Sequence, residues 1–246
     1  MIVIPMAGLS SRFFKAGYDK PKYMLEAHGR TLFEHSVLSF EKYFSNEHFV
    51  FVVRNVFDTP SFVTKGANAL GIKSYDVIVL DEETRGQAET VYLALKQVKA
   101  DEQALTIFNI DTFRPGFIFP PVSRIGSGYL EVFKGPGEHW SFAEPVATNL
   151  TLVKRTTEKN RISELCSTGL YYFRNAKYFT DAFEQYRLTP ESEWPKGELY
   201  IAPLYNLLIE RGDSVHYHLI HHNEVIFCGT PDEYSKFIKQ VGTDIE

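Results

Sequence analysis

The chain has 246 residues, 44% hydrophobic and 23% charged, with a formal net charge of -5 at pH 7. That is length and apolar content enough for one large domain, and no apolar run approaches what a bilayer span needs, so no membrane association is expected. The acidic balance, without an extended basic face, excludes general nucleic-acid binding, and an opening strand in place of a charged leader points to the cytoplasm. Cys166 and Cys228 each sit inside an apolar run, so buried free thiols are expected rather than a disulfide.

In chain order, Ile2 to Pro5 reads as a buried strand that runs into a small, hydroxyl-bearing turn, Ala7-Gly8-Leu9-Ser10-Ser11. Arg12, Lys15, Lys20 and Lys22 follow against the single acid Asp19, a local concentration of positive charge that suits a polyphosphate. Neither the P-loop spacing nor the dinucleotide glycine pattern is present. Thr31 with Glu34 forms a capping-box start to a helix, and Phe49 to Val53 is a second buried strand. A helix is expected from Thr59 to Leu70, ending at Gly71, then a third strand from Tyr75 to Leu80. This alternation implies right-handed crossovers and a mostly parallel central sheet flanked by helices, with ligands at the carboxyl ends of the strands.

Gly86 and Gln87 stand at the start of the next helix, either as a plain helix N-terminus or as part of a site. Leu105 to Phe108 is a fourth strand that emerges into Asn109-Ile110-Asp111. A carboxylate there either holds a hard divalent cation or caps the following turn. Further strands are expected over Gly126 to Phe133, around Leu150 to Val153 and over Ser167 to Phe173. The segment His139 to Glu144 is either a site wall or core. A helix is expected to open at Lys196 and run through Leu207-Leu208-Ile209 to Arg211-Gly212.

From Pro5 through Gly8, Ser11-Arg12 and Pro21-Lys22, the opening resembles the G-x-G-[ST]-R and P-K signature of the sugar-phosphate nucleotidyltransferases, with Ser10 where a second glycine is common. Later blocks fall in that family's order. Gly86-Gln87-Ala88 looks like its G-[QT]-A, Glu158-Lys159-Asn160 like its E-K-P with asparagine for proline, and Thr168 to Phe173 like its small-G-[IL]-Y-x-F strand. Lys196 to Leu199 is similar to its R-G-E-L block, and Val225 to Pro231 to its ending, except that Phe227 replaces an aspartate that ligates metal in many members.

The resemblance implies a Rossmann-like nucleotide-diphospho-sugar transferase (GT-A-like) fold in a single domain, with an NTP-binding half over residues 1–120 and an acceptor-binding half over 121–246. It implies that Ala7, Gly8, Leu9, Ser10 and Ser11 hold the triphosphate, Arg12 the leaving pyrophosphate and Lys22 the α-phosphate. Asp111 would bind Mg²⁺, with Glu224 or Asp232 available to replace the missing ligand, and Gly86 and Gln87 would read the base. Lys159, Gly169 and Glu198 would bind the acceptor; Glu198 could instead simply favour a helix N-terminus. The implied substrates are CTP, dTTP or UTP with a sugar 1-phosphate or other small phosphomonoester for capsule or surface-polysaccharide synthesis, in a monomer or homodimer. Two other readings are a GT-A-type glycosyltransferase, which needs a D-x-D motif where this chain has Asn109-Ile110-Asp111, and a non-catalytic nucleotide-binding domain, favoured by Phe227.

Overall fold

The structure, a computed structural model, describes residues 1–121 and 124–240. The chain forms two compact units. The first comprises Met1–Val3, Thr84–Phe108 and Phe119–His222, and the second Ile4–Glu83, Asn109–Ile118 and Asn223–Glu246.

Strand β1 (Ile2–Pro5) is buried at every position, as its unbroken apolar run requires, and it passes from the first unit to the second. Helix α1 (Ser11–Lys15), the short pair β2 (Glu26–Ala27) and β3 (Arg30–Thr31), and α2 (Leu32–Val37) follow. α2 carries the expected capping box: Glu34 N–H donates to Thr31 Oγ1, and Thr31 N–H to Glu34 Oε2. β4 (Phe49–Arg54), α3 (Thr59–Leu70) and β5 (Tyr75–Leu80) keep the predicted bounds closely, with Gly71 after α3. Next come α4 (Gln87–Val98), β6 (Leu105–Phe108), β7 (Thr112–Phe113) and β8 (Gly128–Lys134). β9 (Ser141–Pro145), β10 (Val153–Glu158), β11 (Leu165–Phe173) and α5 (Ala176–Tyr186) lead to α6 (Leu204–Glu210). β12 (Val215–Ile220), β13 (Ile226–Phe227) and α7 (Pro231–Lys239) complete the elements.

In the first unit the strand order is β10-β9-β11-β6-β1, with β8 beside β11 and β12 beside β8. β6 pairs parallel with β1, and β12 with β8, whereas β8, β9 and β6 run antiparallel to β11. In the second unit the order is β1-β4-β5, and β4 and β5 are parallel in a register that sets Phe49 opposite Tyr75. The class is the α/β one the sequence predicts, a large central sheet with parallel runs and flanking helices. Among the described residues no helix is long and apolar enough to cross a membrane.

The helix expected from Lys196 begins only at Leu204, because Lys196 and Gly197 both take positive φ, 55° and 73°, which a right-handed helix cannot accommodate. In the second unit, Phe13, Leu25, Ala27 and Leu32 pack with Phe113, Cys228, Tyr234 and Phe237 in one apolar cluster beneath the opening loop. Both cysteines are buried and free.

Candidate active site

In the second unit, Met6 N–H makes a last bond to Val52 O on β4 before the chain turns away into Ala7–Ser10. Gly8 and Leu9 are exposed, and Ala7 and Ser10 half-buried. Ser10 takes a left-handed conformation, φ 53°, and its carbonyl accepts from Phe13 and Phe14, which starts α1. Ser11 and Arg12 therefore lie exposed on the first turn of that helix, held by the buried Phe13. The loop is closed by Ser10 Oγ, which accepts from the Lys22 amide at 3.1 Å.

Lys22 then extends to Asp111, its Nζ 2.5 Å from Oδ2, with each side chain 22% exposed. Asp111 lies past the end of β6, and its carbonyl accepts from Cys228 N–H at 2.8 Å, beside the β7–β13 pair that sets Phe227 opposite Thr112. The chain must then pass Asp111 at Gly229. A Cβ there would meet Asp111 Oδ2 at 2.9 Å and Glu233 Oε2 at 3.6 Å, so glycine leaves space for both carboxylates. Burial, and then the charges of Glu233 and Asp111, push the Cys228 thiol up, so this cysteine stays a neutral thiol. Glu233 accepts from Thr230 in the capping box of α7. Beside Phe227, Glu233 is thus the carboxylate next to Gly229; Glu224 stands 4.0 Å from Arg114, and Asp232 is exposed.

In the first unit the structure joins two blocks that lie more than a hundred residues apart. Ala88 N–H donates to Leu199 O, and Leu199 N–H to Arg85 O. Gly86 between them has φ 146°, and a Cβ would lie 2.5 Å from Leu199 O; only glycine admits so close a backbone. Gln87 begins α4, and Glu198 is exposed beside Leu199. Tyr200, next along, meets Lys159: Nζ hydrogen-bonds the phenol and lies 4.1 Å from the ring centre. Lys159 reaches it from a left-handed turn, φ 52°, fixed by its amide donating to Trp140 O. Gly169 is buried within β11, where the register with β8 shifts between Ser167 and Tyr171.

One residue before Lys159 is a group the sequence reading did not single out, although its acidic block contained the signal. Glu158 is half-buried and hydrogen-bonded to Ser141 Oγ. Burial pushes its carboxyl up; the Ser141 hydroxyl and Lys159 act against that, and Glu198 adds to it. The segment His139 to Glu144 contributes Phe142 to the core, one of its two expected roles, and Ser141 as the hydrogen-bond partner of Glu158. Gln87, Lys159 and Glu198 thus fall in the first unit, and Gly8, Arg12, Lys22 and Asp111 in the second.

No protein-family model and no curated protein matches the sequence. Among solved structures, the nucleoside-diphosphate-sugar pyrophosphorylase from Vibrio cholerae RC9 is 58% identical over 98% of this chain and 100% of that one, with a TM-score of 0.94. An inositol-1-phosphate CTP transferase from T. maritima shares the fold at 17% identity and a TM-score of 0.71, covering 98% and 97%. A UDP-glucose pyrophosphorylase complexed with UDP-glucose does so at 13% and 0.70, covering 96% of each chain. The fold is that of the nucleotidyltransferases. The chain belongs to the nucleoside-diphosphate-sugar pyrophosphorylase family. Among the three readings of the sequence, this decides for the nucleotidyltransferase.

Proposed function

We propose that the chain transfers the nucleotidyl group of CTP, dTTP or UTP to the phosphate of a sugar 1-phosphate or similar small phosphomonoester, releasing pyrophosphate. Its place is capsule or surface-polysaccharide synthesis in the cytoplasm. The observation that supports this most is the Lys22–Asp111 pair, a cation and a carboxylate 2.5 Å apart and both still reachable from solvent, with the Lys22 amide tied to Ser10 of the opening turn. Such a pair can be exchanged for contacts with a phosphate and its counter-cation.

The donor set fits Mg²⁺: Asp111 supplies a hard oxygen ligand, and Gly229 leaves the space that a side chain would take from it. Asp111 would hold the ion, with Glu233 in the role that Phe227 leaves vacant. When bound, Mg²⁺ would supply charge neutralisation at phosphate oxygens. The chain's own groups do the rest. Backbone N–H groups of Ala7 to Ser11 bind the triphosphate, Lys22 offsets charge at the α-phosphate, and Arg12 takes the charge that accumulates on pyrophosphate as it departs. Gly86 and Gln87 meet the base, Lys159 neutralises the acceptor's phosphate, and Glu158, Gly169 and Glu198 contact the rest of the acceptor. The acceptor's phosphate oxygen forms the new bond to the α-phosphorus while the bond to pyrophosphate breaks; the nucleophile is already anionic, so no general base is required.

The test is a matrix of the four NTPs against phosphomonoesters, read as pyrophosphate release. Turnover is expected with a pyrimidine nucleotide and a sugar 1-phosphate or a close analogue. Release with none of the pairs would overturn the proposal.

A further inference from the structure

Ser141 opens β9 directly opposite Glu158, the last residue of β10; the two are register partners. Ser141 Oγ is hydrogen-bonded to Glu158 Oε2 and lies 3.0 Å from Tyr171 Oη on β11. Ser141 and Tyr171 are 7% and 4% exposed, so these hydroxyls are shielded from water, whereas Glu158 keeps part of its surface open. With Glu158 ionised, the serine donates to the carboxylate and accepts from the phenol, which Ser167 also meets. Among the described residues, Oε2 is the Glu158 oxygen that carries a hydrogen bond.

The titratable groups facing Glu158 come from every side of it: Lys159 next in the chain, Glu198 ahead of α6, Tyr171 on β11 and Tyr186 on α5. Tyr186 is 9% exposed, and its hydroxyl has no hydrogen-bond partner among the described residues.

We propose that Ser141, backed by Tyr171, is a positioning residue: by fixing Oε2 of Glu158 it leaves Oε1 to accept a hydrogen bond from a donor on the acceptor. This rests on the assignment of Glu158 to the acceptor made above. Removing the Ser141 hydroxyl frees the carboxylate to turn and also withdraws a donor that favours its charged form. Burial already pushes the Glu158 carboxyl up, and the loss pushes it further up. A protonated carboxyl binds the donor less well, so acceptor binding declines as pH falls through the Glu158 pKa. In Ser141→Ala that decline begins at a higher pH.

Two readouts test this. The first is a ¹³C NMR titration of glutamate side-chain carboxyls, with Glu158 assigned by its disappearance in Glu158→Gln. The second is pyrophosphate release with glucose 1-phosphate as the acceptor probe and each of CTP, dTTP and UTP. In Ser141→Ala the Glu158 midpoint is expected to rise by about one pH unit. KM for glucose 1-phosphate should rise about tenfold at pH 7 with KM for the NTP unchanged. Tyr171→Phe should move both in the same direction by less, and Ser141→Thr, which keeps the hydroxyl, should restore them. An unmoved Glu158 midpoint in folded Ser141→Ala and Tyr171→Phe overturns the proposal, as does a moved midpoint with KM unchanged. Wild-type protein inert toward glucose 1-phosphate with all three nucleotides would count against the assigned function, while the NMR titration would still uphold or overturn the hydroxyl chain.

Discussion

In the second unit the residues assigned to the triphosphate stand on turns just past strand ends, and the contact that links Lys22 to Asp111 is ionic. In the first unit the residues assigned to base and acceptor are tied backbone to backbone at Gly86 and Leu199, and hydroxyl to carboxylate at Ser141 and Glu158. An ion pair with both partners reachable from water can be traded for a ligand at little cost, because each charge keeps a partner. A backbone ladder has no such substitute. On the proposed assignments, the second unit offers contacts that can be exchanged during turnover, and the first contacts that are kept while base and acceptor are discriminated.

Substitutions can break or sharpen this contrast. The largest effect is expected at Asp111→Asn, which keeps the shape and removes the charge. Turnover should fall about a thousandfold while the melting temperature stays near that of the parent. Steady-state pyrophosphate release and thermal unfolding measure the two, and near-parental turnover would remove Asp111 from the chemistry.

Gly86→Ala comes next. The obstacle to its Cβ is the Leu199 backbone at 2.5 Å, and φ is 146°, so both strain and collision are unavoidable. A loss of about 3 kcal/mol in denaturant unfolding is expected. Unchanged stability would show the ladder to be as exchangeable as the ion pair.

Gly229→Ala is the matched case in the second unit and the smallest of the three. Its Cβ meets the end of the Asp111 side chain at 2.9 Å, which can swing aside. Stability should hold, while the Mg²⁺ concentration for half-maximal turnover rises about tenfold. A stability loss equal to that of Gly86→Ala would erase the distinction between the units.

What was legible in the sequence follows the same line. β1, β4, β5, β6 and the capping box at Thr31 are local patterns, set by residues adjacent in the chain, and they stand where the sequence predicts. The late start of α6 was hidden because Lys196 adopts a positive φ that its residue type does not announce. α5 is absent from the expected elements, although Asn175 caps it and Phe179, Ala182 and Phe183 line one face. Partnerships such as Ser141 with Glu158, Gly86 with Leu199 and Glu233 with Gly229 depend on how segments dock, and periodicity carries no trace of that. The motif order located the neighbourhoods; the contacts came from tertiary packing.

The apolar cluster under the opening loop has a consequence for the chain as it is made. Tyr234 Oη donates to Glu26 O across 208 positions, and Phe237 packs with Phe13 and Leu25. On the ribosome, residues 7 to 22 emerge well before Tyr234 and Phe237, and lack their backing until those two have left the exit tunnel. The nascent polypeptide therefore carries this loop unsupported until α7 has cleared the ribosome, so the packing of the loop is set by a segment made 208 positions after the residue it ties to.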